Sequence, residues 1–289
     1  MKKGKVVSCV GGTYSIYCDG IIYNVIAKGI FRFKNKQIIV GDNVLFDDEL
    51  CVINEIEERT NQIIRPKVCN IDQMIIVMSL KQPDFSKELL FKFLTYASFN
   101  DVKSSVVLTK YDLVDDQSFI NDIVNELNYL NINCYLISKK VEGHGELNRL
   151  IKDIDNKITI FMGQTGVGKS SLINLLDESF NRSIGEYSLA LGRGKHQTKE
   201  VILLPYRNGF IGDTPGFSSL DLNMNKIQLA HYFPGFKQLN YEQCYFSNCL
   251  HHLEKQCNIK KAVEENKYPQ QLYEIYLKLL DNIDDNKRN

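Results

Sequence analysis

The chain has no net charge, because 35 lysines and arginines balance 35 aspartates and glutamates. A global positive field that would draw in nucleic acid is therefore absent. No uninterrupted apolar run approaches the roughly 18–20 residues of a membrane span. The opening residues, MKKGKVVSCVGGTYS, carry lysines without the apolar stretch of a secretion signal. Internal repeats and low-complexity tracts are also missing. These absences lead us to expect a cytoplasmic protein with no membrane partner. The 289 residues that are present, 44% hydrophobic and 24% charged, are ordinary for a soluble protein and leave room for two or three domains.

Charge and cysteine are unevenly placed. Residues 1–36 hold Lys2, Lys3, Lys5, Lys28, Arg32, Lys34 and Lys36 against Asp19 alone. This is either a solvated face or a contact surface for a phosphate backbone. Cys9, Cys18, Cys51, Cys69 and Cys134 are scattered, as small buried hydrophobes are. Cys244, Cys249 and Cys257 are clustered.

The pattern divides the chain in three. Residues 1–66 alternate apolar and polar positions in short runs (GKVVSCV, YSIYCDG, IIYNVIA, GIFRF, QIIVGDNVLF, CVINEIEER), which predicts a small β barrel of the oligonucleotide-binding (OB) type. Residues 67–220 alternate apolar strands (MIIVMSL, SSVVLTK, INCYLIS, ITIFMGQ) with helical segments, which predicts an α/β domain with a parallel sheet. Two more strands, EVILLPY and GFIGD, complete the same domain. Residues 221–289 read as mainly helical and contain the cysteine cluster.

The stretch GQTGVGKSS supplies Gly163, Gln164, Thr165, Gly166, Val167, Gly168, Lys169, Ser170 and Ser171. It lies between a buried strand and a helix, the context of a phosphate-binding P-loop. Its amides would cradle a β-phosphate, Lys169 would reach the β and γ oxygens, and Ser170 would ligate Mg²⁺. Asp213, ending the GFIGD strand, is a second candidate Mg²⁺ ligand, and Gly216 a candidate γ-phosphate contact. The Gly-rich, basic LGRGKHQTKE between these motifs offers Thr198 as a further Mg²⁺ ligand and is the expected switch segment.

TKYD supplies Thr109, Lys110, Tyr111 and Asp112 after a strand. The Asp112 carboxylate can accept from guanine N1–H and the 2-amino group, whereas adenine has an acceptor at N1 and no 2-amino group. Lys110 can pack along the base, and Ser138 and Lys139 offer contacts from the loop after the next strand. A guanine reader preceding its P-loop is a circularly permuted order. It places the γ-phosphate sensor on the segment leading into the C-terminal module, so nucleotide state is expected to reorient that module. There, C-x4-C-x-H-x5-C sets Cys244, Cys249, His251 and Cys257 as a closed tetrahedral Zn²⁺ site, with His252 as an alternative ligand. Many GTPases position water with a glutamine after the D-x-x-G glycine. Here Phe217 stands there; His196 in the switch segment is a candidate catalytic group beside Lys169, or else an ordinary surface residue or RNA contact, and Arg193 is a candidate arginine finger.

With the barrel's VGD (40–42), the NIDQ of 70–73, TKYD, GQTGVGKSS, GRGKHQT, DTPGF and the zinc spacing, the chain resembles the circularly permuted, small-ribosomal-subunit-dependent GTPases of bacteria. The resemblance implies an OB-fold barrel, a permuted GTPase domain and a zinc-binding helical domain. It implies GTP and GDP with Mg²⁺, one structural Zn²⁺, and slow hydrolysis stimulated by the small subunit during its late maturation. It also implies contact of the flanking domains with ribosomal RNA, and places the water-activating role on His196. The chain departs from the family where Gln197 precedes Thr198, where AKGIFRF lacks an Arg before its Gly, and where Lys255–Gln256 replaces Pro-Gly. We expect a monomer. The alternatives are a nucleotide-regulated RNA-binding module acting on another RNA, and an ATPase of the same fold.

Overall fold

A computed structural model describes residues 1–29, 37–140, 145–177, 180, 201–214 and 220–283. β1 (Lys2–Val10), β2 (Thr13–Cys18), β3 (Ile21–Ala27), β4 (Asn43–Asp47) and β5 (Val52–Ile56) close into a barrel in the order β1-β2-β3-β5-β4. Alternate residues point inward, so Val6, Ile16, Val25, Val44, Phe46 and Ile53 form its core. Residues 30–33 of the expected GIFRF strand lie outside the described residues.

The lysine excess at the N-terminus meets acids that the barrel brings alongside. Lys2 pairs with Asp48 at 2.8 Å and Lys3 with Glu57 at 2.7 Å. Lys5 Nζ donates to Asn43 Oδ1 at 2.7 Å. Over residues 1–66 nine basic side chains face eight acidic ones. Lys2 and Lys3 are thus paired with acids, whereas Arg32, Lys34 and Lys36 lie outside the described residues.

A buried polar junction ties the barrel to the strands beyond it. β6 (Gln62–Ile63) pairs with β7 (Val68–Cys69), and Val68 bridges Val40. The fully buried Asp42 carboxylate accepts from Arg59 Nε at 2.7 Å, Arg59 Nη2 at 2.8 Å and the Ile39 amide at 2.8 Å. Four close donors, with the Cys69 thiol at 3.2 Å, offset the cost of burying that charge. Gly41 (φ +94°) crosses so near that a Cβ would lie 2.0 Å from the Cys69 carbonyl oxygen, so no other residue fits. Tyr17 of β2 adds an edge contact on Phe210, ring centres 5.3 Å apart.

The central sheet has the order β10-β9-β8-β11-β13-β12. Its strands are β8 (Gln73–Ser79), β9 (Lys103–Thr109), β10 (Cys134–Ile137), β11 (Ile158–Met162), β12 (Ile202–Tyr206) and β13 (Gly209–Asp213). All neighbours are parallel except the β12–β13 hairpin. All seven residues of β8 are buried, as a strand covered on both faces requires. Helices α1 (Lys87–Phe99), α2 (Gln117–Tyr129), α3 (Gly145–Ile154) and α4 (Lys169–Leu176) accompany the sheet. Ser86 caps α1 by accepting from Leu89 N, and Asp116 caps α2 by accepting from Ser118 N and Phe119 N. The chain builds outward from β8 to β10, returns to the middle as β11, then builds the other side. The seam between β8 and β11 is therefore the switch point where such sheets open a crevice at their carboxyl ends.

Beyond the sheet lie α5 (Lys226–Tyr232), α6 (Asn258–Glu264) and α7 (Gln270–Asp281). A capping box between Asn225 and Gln228 starts α5. α5 and α7 pack on α1, where Phe91 stacks on Phe233 at 5.6 Å. Among the described residues no helix is long and apolar enough to cross a membrane.

Candidate functional site: a phosphate loop and base cleft, with a Cys3His cluster behind

The register brings the carboxyl ends of the parallel strands level. Ser79 of β8 lies opposite Thr109 of β9, which lies opposite Ile137 of β10; across the seam Phe161 of β11 lies opposite Asp213 of β13. All the predicted nucleotide motifs that fall on described residues leave from this one edge.

The loop 163–168 turns directly out of β11. Gly163 passes over β8 so closely that a Cβ would lie 2.2 Å from the Val77 carbonyl oxygen. α4 then begins at Lys169, with Leu172 N donating to Gly168 O at 2.8 Å. Thr165, Gly166 and Ser170 are exposed, while Val167 and Lys169 are buried. Lys169 Nζ donates to Gly163 O at 2.8 Å and to Gln164 O at 3.3 Å, which holds the ammonium inside the loop. Burial lowers its pKa, and the Asp213 carboxylate opposes that shift.

Asp213 is shifted the other way. Burial raises its pKa, against the Lys169 charge and the Thr214 amide. Its Oδ1 is buried without a hydrogen-bond partner among the described residues. An orphaned carboxylate oxygen beside a phosphate loop fits a divalent cation, which favours the ionised form. Thr214 fixes this strand end by donating from Oγ1 to Phe161 O at 2.7 Å.

On the other side of the seam lies the base cleft, with a volume of about 220 Å³. Lys110, Asp112, Ser138, Lys139, Gly168 and Ser171 are among its lining residues. The Asp112 carboxylate accepts a hydrogen bond from Ser138 Oγ. Thr109 Oγ1 donates to Val167 O at 2.6 Å, and Lys110 Nζ donates to Gly166 O at 2.8 Å and to Gln82 O. TKYD and the P-loop, more than fifty residues apart, are thus held together by side chain-to-backbone bonds. Tyr111 opens a short turn of 3₁₀ helix, Tyr111–Leu113, and does not line the cleft. The Thr109–Val167 link and the Gln82 carbonyl were not foreseen, since neither leaves a spacing signal. His196, Thr198, Gly216, Arg193 and Phe217 lie outside the described residues.

Cys244, Cys249, His251 and Cys257 converge behind α5, their ligand atoms all within 4.8 Å of one another. Cys244 Sγ lies 4.0 Å from Cys257 Sγ, and His251 Nδ1 lies 3.6 and 3.3 Å from those sulfurs. A tetrahedron with metal–sulfur bonds of about 2.3 Å has edges of roughly 3.8 Å, so the donor set fits zinc. Burial pushes the Cys249 and Cys257 thiols up and takes His251 down to about 4, leaving a neutral imidazole able to ligate. Each sulfur also receives a backbone amide: His251 N on Cys249 at 3.4 Å, Asn258 N on Cys244 at 3.3 Å and Lys260 N on Cys257 at 3.5 Å. His252 is exposed, with its amide on Glu254, and takes no part in the cluster. Two phenols of α7 went unforeseen: Tyr273 donates to His251 O at 2.6 Å and Tyr276 to Leu250 O at 2.5 Å.

Residues 56–223 match the family described as RsgA GTPase, and residues 3–50 match the RsgA N-terminal domain. Proteins named small ribosomal subunit biogenesis GTPase RsgA are similar along nearly the whole chain. That of Malacoplasma penetrans is 40% identical, covering 90% of this chain and 91% of its own length. That of Bacillus subtilis is 35% identical, covering 99% of both. The crystal structure of YloQ, a circularly permuted GTPase, superposes with a TM-score of 0.80 at 32% identity, over 100% of this chain and 97% of its own. YjeQ from Thermotoga maritima superposes with the same score at 30% identity, over 97% and 98%.

Proposed function

Because this chain belongs to the RsgA GTPase family, we propose that it binds the small ribosomal subunit and its RNA and hydrolyses GTP in a subunit-stimulated way, assisting late maturation of the subunit. The observation that carries the reading is the single sheet edge on which the P-loop, Asp213 and the Asp112–Ser138 pair meet. We divide the chain at 1–66, 67–220 and 221–289: an OB-type barrel, a permuted GTPase domain and a zinc-binding helical domain.

Asp112 would accept from guanine N1–H and the 2-amino group, with Ser138 and Lys139 beside it and Lys110 along the base. The N-terminus of α4 and the 163–168 amides would hold the β-phosphate, where the helix dipole and oriented N–H groups favour negative charge. Lys169 would exchange its loop carbonyls for β and γ oxygens. Ser170 and Asp213, with Thr198, would hold Mg²⁺, which would supply positive charge against the phosphates. Gly216 would contact the γ-phosphate and His196 would orient the water; these two and Thr198 are assigned from the sequence. The Cys3His cluster would hold one structural Zn²⁺.

Phe217 stands where many GTPases place a water-orienting glutamine, so turnover by the isolated protein should be slow. The first test is hydrolysis with and without purified small subunits, with ATP as control. Stimulation specific to GTP is expected; a fast intrinsic rate unchanged by the subunit overturns the reading. A second test concerns the base. Asp112→Asn presents an amide N–H₂ to the C2 position, where guanine carries a donor and xanthine a carbonyl. GDP affinity should fall about a hundredfold and xanthosine diphosphate affinity should rise, since a mismatched buried donor costs a few kcal/mol. Unchanged GDP affinity in equilibrium titrations would take Asp112 out of the base site.

A further inference from the structure

The segment between β8 and α1 belongs to none of the nucleotide motifs, yet it touches two of them. Leu80 N donates to Thr109 O at 3.1 Å, and Ser79 Oγ donates to Lys81 O at 2.5 Å, which turns the chain as it leaves the strand. Lys81 Nζ donates to Leu113 O at 3.3 Å. The Gln82 carbonyl accepts from Lys110 Nζ, whose other acceptor is Gly166 O at 2.8 Å. The Pro83 ring lies against the same glycine, its Cδ 3.8 Å from where a Gly166 Cβ would be. Phe85 anchors the far end on Phe119 of α2, ring centres 5.9 Å apart.

Two conformations along this path are costly. Gln82 (φ +57°) and Lys110 (φ +56°) are both left-handed, where non-glycine residues rarely sit. Such strain persists only where surrounding contacts over-determine it. Here the contact is shared, because the strained carbonyl of one residue holds the ammonium of the other. A lysine stem is long and flexible, and a free one would sample many rotamers over the cleft. Charge-assisted bonds to two carbonyls confine it.

We propose that Lys81–Pro83 is a positioning element for nucleotide binding: the Gln82 carbonyl fixes Lys110 across the base cleft, and the Pro83 ring braces the Gly166 tip of the phosphate loop. The inference rests on the guanine reading of the cleft. It adds to that reading a brace behind Lys110 and Gly166, contributed by the segment that follows β8. The segment acts through Lys110, so its effect depends on that side chain.

The test is release of a fluorescent GDP analogue from the full-length chain, monitored by stopped flow. Four proteins form a cycle: wild type, Gln82→Gly/Pro83→Gly, Lys110→Met, and the combination. The loop variant keeps the main-chain carbonyl at 82 but frees its position, and should release the nucleotide about tenfold faster, the scale of a hydrogen bond to a charged group no longer held in place. In the Lys110→Met background the same change should add no more than about twofold, within the additivity error for sites that do not act separately. Pro83→Ala, which removes the ring against Gly166, should give a smaller increase and serves if the double loop variant does not fold. Unchanged release, or the same tenfold factor in both backgrounds, overturns the proposal while leaving the guanine reading intact. Wild type that shows no preference for GDP over ADP in competition overturns the guanine reading, and the proposal with it.

Discussion

Lys169→Ala should lower the rate of GTP hydrolysis by about two to three orders of magnitude, the cost of removing one preorganised charge from a phosphoryl-transfer site. The variant should still fold. Lys169 is only 7% exposed, and its two bonds to loop carbonyls offset the desolvation that lowers its pKa. These opposing effects leave a net stability change of about 1 kcal/mol without nucleotide. The larger signature is in linkage. A ligand at a hundred times its Kd stabilises a protein by about 2.7 kcal/mol, and most of that increment should vanish with the ammonium. Asp213 makes the point sharper. Its pKa is already raised by burial, and Lys169 is the charge that opposes the rise. Without Lys169 the carboxyl is harder to ionise and a poorer partner for a cation. Melting temperatures with and without GDP and Mg²⁺, beside single-turnover hydrolysis, measure both effects. Turnover at the wild-type rate would remove Lys169 from the mechanism.

Cys249→Ser should cost the C-terminal module its fold. Structural zinc contributes about 10–16 kcal/mol of apparent binding free energy, as much as the whole stability of a typical domain. Without metal, Cys249, Cys257 and His251 are packed where burial penalises ionisation. The damage should spread along named contacts. His251 meets the edge of Phe236 at 5.3 Å, Tyr273 and Tyr276 hold the loop carbonyls, and Phe233 carries the packing to Phe91 on α1. Zinc content should fall from about one per chain to near none, and limited proteolysis should open sites beyond residue 220. A chelator should do the same to wild type. Retention of the wild-type melting temperature by the zinc-free variant would show that the cluster is not structural.

What could be read in the sequence was what is local in it. The P-loop is nine consecutive residues with its strand and helix on either side, and the zinc ligands fall within fourteen. Both the loop and the Cys3His cluster, a candidate zinc site, are set by short-range spacing, which a sequence displays directly. Even so, spacing left His251 and His252 open; the fold decides, because one is buried at the sulfurs and the other is exposed. What could not be read depends on distant partners. The N-terminal lysines look like a basic surface until Asp48 and Glu57 arrive from β4 and β5 and their flanks. The Gln82 carbonyl is main chain and has no residue-type signature at all. The packing of α5 and α7 on α1 joins residues more than a hundred positions apart, beyond any periodicity.

The central seam also has a consequence for synthesis. A nascent chain emerges from residue 1 onward, so β8, β9 and β10 are available together once residue 137 is out. One edge of β8 is then covered by β9, and the other is destined for β11, whose residues 158–162 emerge only later. All seven positions of β8 end up buried in the finished sheet. In an ordinary motif order the P-loop strand is made first and waits for its neighbours; here it comes last to the middle. For that interval the growing polypeptide carries an unpaired, sticky edge at its centre, the feature that natural sheets usually blunt. The barrel, already closed and without free edges of its own, is the finished unit beside it. Slowing translation between residues 137 and 162 should therefore favour aggregation of this chain more than the same pause placed after residue 162.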